Sequence, residues 1–204
     1  MRLLKTFLLG FTVLLAAQGV ALAQKSKDTL RYPMDDAEAT LDRYVAPGSF
    51  ANQWEPAIFD NLIGFDPKKG QFTPQLAKSW KQLDELTYEF ELRDDITFHN
   101  GEKFDAEDAV YTLNYLIDPK VKLRYKPSWA WIKSVEKLGP YKFRINAKAP
   151  DPDGLMWLAF GTPMYPHDLH GGLADKQDFG PRPVGTGPYR IAKLDKNTGV
   201  VAEK

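Results

Sequence analysis

The sequence predicts an α/β fold, and three features predict it: an alternating strand over 86–92, an Asn-Gly turn at 100–101, and a capped amphipathic helix opening at Asp105. Leu86, Tyr88, Phe90 and Leu92 alternate with Thr87, Glu89, Glu91 and Arg93, the period of two that marks a half-buried strand. Asn100-Gly101 suits the positive φ angles of a tight turn, with Phe98 and Phe104 on either side. Asp105 reads as an N-cap, with Glu107 and Asp108 in the first turn where carboxylates complement the helix dipole. Ala109, Val110, Leu113, Leu116 and Ile117 form one apolar face. Asp118-Pro119 ends that helix, because a residue before proline disfavours the α region.

The other elements follow in chain order. Thr29-Leu30-Arg31-Tyr32 is the first strand, and Pro33-Met34-Asp35-Asp36 comes after it. Trp54, Ile58, Phe59 and Leu62 have helical spacing, and Pro56 among them predicts a helix that starts late or kinks there. Thr73 caps a further short helix with Pro74 in its first position, where the missing N–H is harmless. Near the end, Tyr189-Arg190-Ile191 and Gly199-Val200-Val201-Ala202 read as two strands around a turn at Asp195-Lys196-Asn197.

The amino terminus has Arg2 and Lys5, an apolar run from Phe7 to Val20, and the small-x-small triplet Ala21-Leu22-Ala23. This is the pattern of a cleavable secretory signal peptide over 1–23, cut between Ala23 and Gln24. The run is short for a membrane span, so the mature chain is expected not to span one. There is no cysteine, hence no disulfide and no residue to carry a lipid at the cleavage site. Losing Arg2 and Lys5 leaves 25 basic against 27 acidic residues, which argues against nucleic acid as a partner. A content of 43% hydrophobic and 13% aromatic residues supports a real core, and no internal repeat recurs at a fixed period.

PQLAKSW at 74–80, TYEFELRDDITFHNGEKFDAEDAVYTLNYL at 87–116 and PVGTGPYRI at 183–191 closely resemble the signature segments of the family 5 extracellular solute-binding proteins. WIKSVEKLGPYKFRINAKAP at 131–150, as a strand pair, and MYPHD at 164–168 are similar to the family as well. The resemblance implies a receptor of an ABC importer that captures a solute in a cleft between lobes and delivers it to permease subunits. It implies no enzymatic activity and no cofactor. A short peptide is the first expectation for the ligand; a nickel chelate, an opine or an oligosaccharide is the alternative. The implied fold is a periplasmic binding protein-like type II lobe (cluster C), with a mixed sheet and an inserted antiparallel-rich α+β subdomain. On that pattern 24–49 and 169–204 form an incomplete first lobe, and 50–168 its small subdomain. Family members are much longer, so the chain is expected to be an amino-terminal portion with the second lobe absent. It would be a monomer, with weak or no binding on its own. A non-functional remnant or one half of a split protein is the reading of another class. The cysteine-free leader favours a Gram-negative periplasm, since many Gram-positive relatives resemble lipoproteins.

Most candidate ligand contacts come from the same resemblance, and Trp129 and Trp131 from their spacing alone. The segment after the first strand lines the family's cleft, which singles out Met34 and Asp35. Asp35 is suited to a ligand ammonium, and its plainer reading is a cap or solvated loop. The stretch 47–54 approaches the same cleft, with Phe50 and Trp54 as candidates and core packing as the alternative. Gly185 and Thr186 belong to the GTGPY loop, where glycines admit close backbone approach and free N–H groups suit a carboxylate; a turn needed only for folding is the competing reading. Trp129 and Trp131, two apart, would share one side of a strand and either stack on a ligand or fill the core.

Catalysis has little support. Asp35-Asp36 and Asp94-Asp95 are sequence neighbours, and strand neighbours point to opposite faces, whereas an acid–base pair must converge on one substrate. His99 with Glu102, and His167 with His170, have metal-compatible spacing. The first pair, however, sits in the Asn-Gly turn, and the other, beside Pro166 and Gly171-Gly172, reads as a loop. No metal is expected at either.

Overall fold

A computed structural model describes residues 29–31, 40–45, 50–195, 197 and 199–204. The first strand, β1 (Thr29–Arg31), is followed by a helix, α1 (Phe50–Ile58), and a hairpin, β2 (Ile63–Asp66) with β3 (Gln71–Pro74). Two strands follow, β4 (Ala77–Asp84) and β5 (Thr87–Leu92), then the long helix α2 (Ala106–Ile117). A 3-10 turn at Lys126–Trp129 leads to β6 (Ile132–Gly139) and β7 (Lys142–Ala147). Two short helices, α3 (Gly154–Ala159) and α4 (His167–Gly172), precede a last hairpin, β8 (Arg190–Asp195) with β9 (Gly199–Glu203).

The strands form a four-stranded sheet in the order β4-β5-β7-β6, a three-stranded sheet β1-β9-β8, and the hairpin β2-β3. Every pairing among the described residues is antiparallel. The mixed character expected of the main-lobe sheet therefore does not show in these strands. The first and last described strands meet in the three-stranded sheet, where Leu30 lies opposite Ala202.

The alternation read at 86–92 holds from Tyr88 to Leu92, whereas Leu86 precedes β5 and is 37% exposed. Tyr88, Phe90 and Leu92 are buried, Phe90 stacks on Phe143 of β7 at 5.1 Å, and Glu89 on the other face pairs with Lys142 and Arg144. Gly101 has φ +92°, and Phe98 and Phe104 close the turn edge to face at 5.8 Å. Asp105 caps α2: its carboxylate accepts from the Glu107 N–H at 2.6 Å, while Asp108 reaches back to the Asp105 N–H at 2.9 Å. Ala109, Leu113 and Leu116 bury the apolar face, and Asp118 ends the helix.

Four expectations fail. The helix predicted from Thr73 and Pro74 is absent: Pro74 ends β3, and Ala77–Asp84 is an edge strand. Its backbone is claimed from elsewhere, with the Ala77 N–H donating to Leu62 O at 2.8 Å and the Arg93 N–H to Leu76 O at 3.0 Å. A helix would forfeit these bonds and the register from Ala77–Leu92 to Asp84–Thr87. Trp129 and Trp131 do not share a strand face, because Trp129 ends the 3-10 turn and β6 begins only at Ile132. His167–Gly172 is a short helix, not a loop. Of the two readings at Pro56 the late start fails, because α1 starts at Phe50 and carries the proline near its last turn.

The core is continuous across the expected boundary at 168. Tyr165 packs on Phe179 at 4.5 Å, on Tyr44 at 4.9 Å and on Phe59 at 5.5 Å. Leu41, Asp42 and Tyr44, before the boundary at 50, are buried in the same region.

Candidate functional site

A pocket of about 220 Å³ opens where the 40–45 segment, α1, the 3-10 turn and the end of α3 meet. One wall is aromatic. Trp157 of α3 is half-buried and lies 6.3 Å from Tyr125, while Phe160, just past α3, is 53% exposed. Trp129 forms the inner wall. Its indole N–H donates to Thr162 Oγ1 at 3.0 Å, and that hydroxyl donates to Trp157 O at 2.5 Å. Tyr44 meets Trp129 edge to face at 5.3 Å and donates to Pro163 O at 2.5 Å. These contacts hold the indole in place.

The polar wall carries Arg43, Arg124 and Asn52. Arg43 is paired through Nε to the Glu55 carboxylate, and its backbone N–H donates to Tyr165 Oη at 3.1 Å. No aspartate or glutamate lines the pocket among the described residues. An apolar, aromatic-walled recess with a few converging polar groups is the form that small-molecule sites take.

A second groove, about 540 Å³, runs between β8 and the 181–184 segment. Two of its cations are already matched, since Arg190 pairs with Glu203 at 3.6 Å and Lys193 with Asp195 at 3.3 Å. It offers no aromatic ring other than the imidazole of His99, whose Nε2 bonds Gly187 O at 2.8 Å.

The sequence-derived contacts divide accordingly. Trp129 lines the pocket, and so does Asn52 from the 47–54 stretch. Trp54 is buried in the core. Trp131 is also buried, against Tyr88 at 6.0 Å and beside Gly154, where an added Cβ would sit 3.2 Å from the indole. Gly185 and the Thr186 hydroxyl are bonded within the fold. The Gly185 N–H donates to His99 Nδ1 at 3.3 Å, Thr186 donates to Asp60 at 2.9 Å, and the Gly187 N–H donates to Ile58 O at 2.9 Å. The N–H groups of both glycines are thus committed to α1 and His99, and an added Cβ on Gly185 would come within 2.1 Å of Ile58 O. Met34 and Asp35 lie outside the described residues, and Phe50 opens α1. His167 bonds Asp108 at 3.1 Å while His170 turns inward to Tyr111 at 2.5 Å, so the two imidazoles do not converge. Arg43, Arg124, Tyr125, Trp157 and Phe160 are not marked by any sequence motif. The signal that was available is the GLMWLAFG run, an apolar segment with two aromatic rings three apart.

The family description "Bacterial extracellular solute-binding proteins, family 5 Middle" matches residues 71–204. The chain belongs to this family. Among the solute-binding proteins it resembles, the probable di/tripeptide-binding protein 5 of Pseudomonas aeruginosa is 28% identical, over 97% of this chain and 41% of that protein. The HTH-type transcriptional regulator SgrR of Yersinia enterocolitica is 28% identical over 67% of this chain and 23% of its own length. The crystal structure of NikZ from Campylobacter jejuni in complex with Ni(L-His) superposes with TM-score 0.68 at 31% identity, over 78% of this chain and 32% of that one. The chain thus spans between about a quarter and two fifths of the length of these relatives. The fold is that of the type II periplasmic binding proteins. Among the described residues no helix is long and apolar enough to cross a membrane.

Proposed function

We propose that this family 5 chain acts outside the cytoplasm, capturing a small solute for the permease of an ABC importer, with a short peptide as the first candidate. The observation that carries the proposal is the pocket of Trp129, Trp157 and Arg43: rigid, aromatic on one side, cationic on the other, and free of carboxylates among the described residues. A di/tripeptide-binding relative and a neighbour holding Ni(L-His) support a solute of that size. Nickel-chelate, opine and oligosaccharide ligands are the alternatives. The leader-like Arg2–Ala23 stretch supports export to a periplasm. The division into a small subdomain at 50–168, flanked by first-lobe segments, belongs to the same reading, as do a monomeric state and the absence of catalysis.

Of the contacts expected from sequence, Trp129 is retained as a ligand contact, and Met34, Asp35 and Phe50 remain candidates beside it. In the 204-residue chain one side of the pocket faces solvent, so binding is expected to be weak. Titration with alanyl-phenylalanine and with Ni(L-His) tests the proposal. At least one is expected to bind, and Trp157→Ala to weaken it about tenfold, the loss of one aromatic wall. Unchanged affinity in that variant places the site elsewhere. The match to SgrR favours a second reading, a solute-sensing module of a regulator. Recovery of the chain from the cytoplasm, leader intact, would select it.

A further inference from the structure

We infer that Arg43 anchors a carboxylate of the solute, and that Glu55 and Asn61 hold its guanidinium ready; this rests on the pocket proposed above. Arg43 spends only its Nε–H on Glu55. Its terminal nitrogens have no partner among the described residues, and the side chain keeps 23% of its surface open. A guanidinium held by one edge still presents a pair of parallel N–H groups, the geometry that matches a carboxylate in a bidentate contact.

The support behind Arg43 is fully engaged. Glu55 is buried, and its second oxygen accepts from Asn61 Nδ2 at 3.3 Å. Asn61 is held in turn, because its Oδ1 accepts the Thr162 N–H at 2.8 Å. Glu55 therefore orients Arg43 and cannot swing to meet a ligand. Gly161 completes the seat: it has φ +85°, and a Cβ there would come within 2.7 Å of Arg43 Nη2. Only glycine leaves the guanidinium that room. Arg43 is thus a specificity-determining residue, and Glu55 a positioning residue. With no carboxylate among the described lining residues, this wall recognises an anionic solute end beside a planar apolar group, not an ammonium.

The test compares N-acetyl-phenylalanine with N-acetyl-phenylalaninamide on the 204-residue chain. Both are followed through the Trp157 indole and the Arg43 Nε–H resonances. The acid is expected to bind about tenfold tighter than the amide, one charge-assisted pair, and to shift the Arg43 signal. Arg43→Lys keeps the charge but lacks the fork; it should bring the ratio toward one while the remaining resonances stay in place. Equal binding of acid and amide by the wild type, with Trp157 still shifting, overturns the role of Arg43 and leaves the pocket standing. No shift at Trp157 with either compound at millimolar concentration overturns the pocket and Arg43 with it. If the variant fails to fold, the wild-type Arg43 Nε–H resonance decides the matter: a shift with the acid and none with the amide supports its role, and tighter binding of the acid with that resonance unmoved overturns it in favour of Arg124.

Discussion

His170 sits fully buried against Tyr165 at 5.0 Å, Tyr115 at 5.0 Å and Phe179 at 4.9 Å. Burial, aided by the charge of Lys176, holds its imidazole down to about 4. In the unfolded chain the same ring takes its proton near pH 6.5. Between those values the unfolded state binds the extra proton, so native stability falls as the pH drops from about 6.5 toward 4. The full effect is on the order of 3 kcal/mol. His170→Gln keeps an acceptor for the Tyr111 hydroxyl and removes the titration. Urea unfolding at stepped pH is expected to show the wild type losing stability relative to this variant across that window. Parallel curves would contradict the assignment. Asp42 and Asp108, both raised chiefly by burial, act equally in both proteins and drop out of the difference.

At the scale of single residues, the sequence was most legible where the neighbours that decide a role lie close along the chain. The glycine of the Asn-Gly turn and the cap at Asp105 are cases of this kind. Gly185 and Thr186 were not, because what fixes them is the carboxyl end of α1 and His99, more than 80 positions away. The Gly185 N–H and the Thr186 hydroxyl looked available only while those partners were unknown.

Among the elements, α2 shows what local chemistry can specify. Its start, its buried face and its end were all readable, since capping and periodicity act within a few residues. Asp105→Ala removes the acceptor for the Glu107 N–H and breaks the reciprocal arrangement with Asp108. It is expected to lower stability by about 1 kcal/mol in chemical denaturation, with an unchanged m-value; a loss within experimental error would mean that the cap contributes nothing. β3 and β4 show the opposite case. Thr73-Pro74 carries a valid helix-start signal, yet the backbone at 76–77 bonds to Asn61, Leu62 and Arg93. Sheet pairing across the chain overrode local propensity there. α3 and its flank were unread for a related reason: GLMWLAFG is too short for a clear period, and its meaning depends on Arg43 and Tyr125.

Across the whole molecule, the antiparallel sheets and the helix packed on them were legible in outline, whereas the pocket was not. It draws on residues 43, 52, 124–129 and 157–161, brought together only by the buried aromatic cluster of Tyr44, Tyr165 and Phe59. Family resemblance supplied the class of function, and geometry supplied the pocket proposed as its place. The chain has five tryptophans, and they report on three environments. Trp129 and Trp157 line the pocket; Trp54 and Trp131 are buried in the core; Trp80 lies on the edge strand β4. Proton–nitrogen correlation spectra of the indole N–H groups, recorded while alanyl-phenylalanine is added, therefore test the account most directly. Progressive, saturable shifts of Trp129 and Trp157, with Trp54, Trp80 and Trp131 unmoved, are the predicted result. Saturable shifts confined to the other three would contradict it.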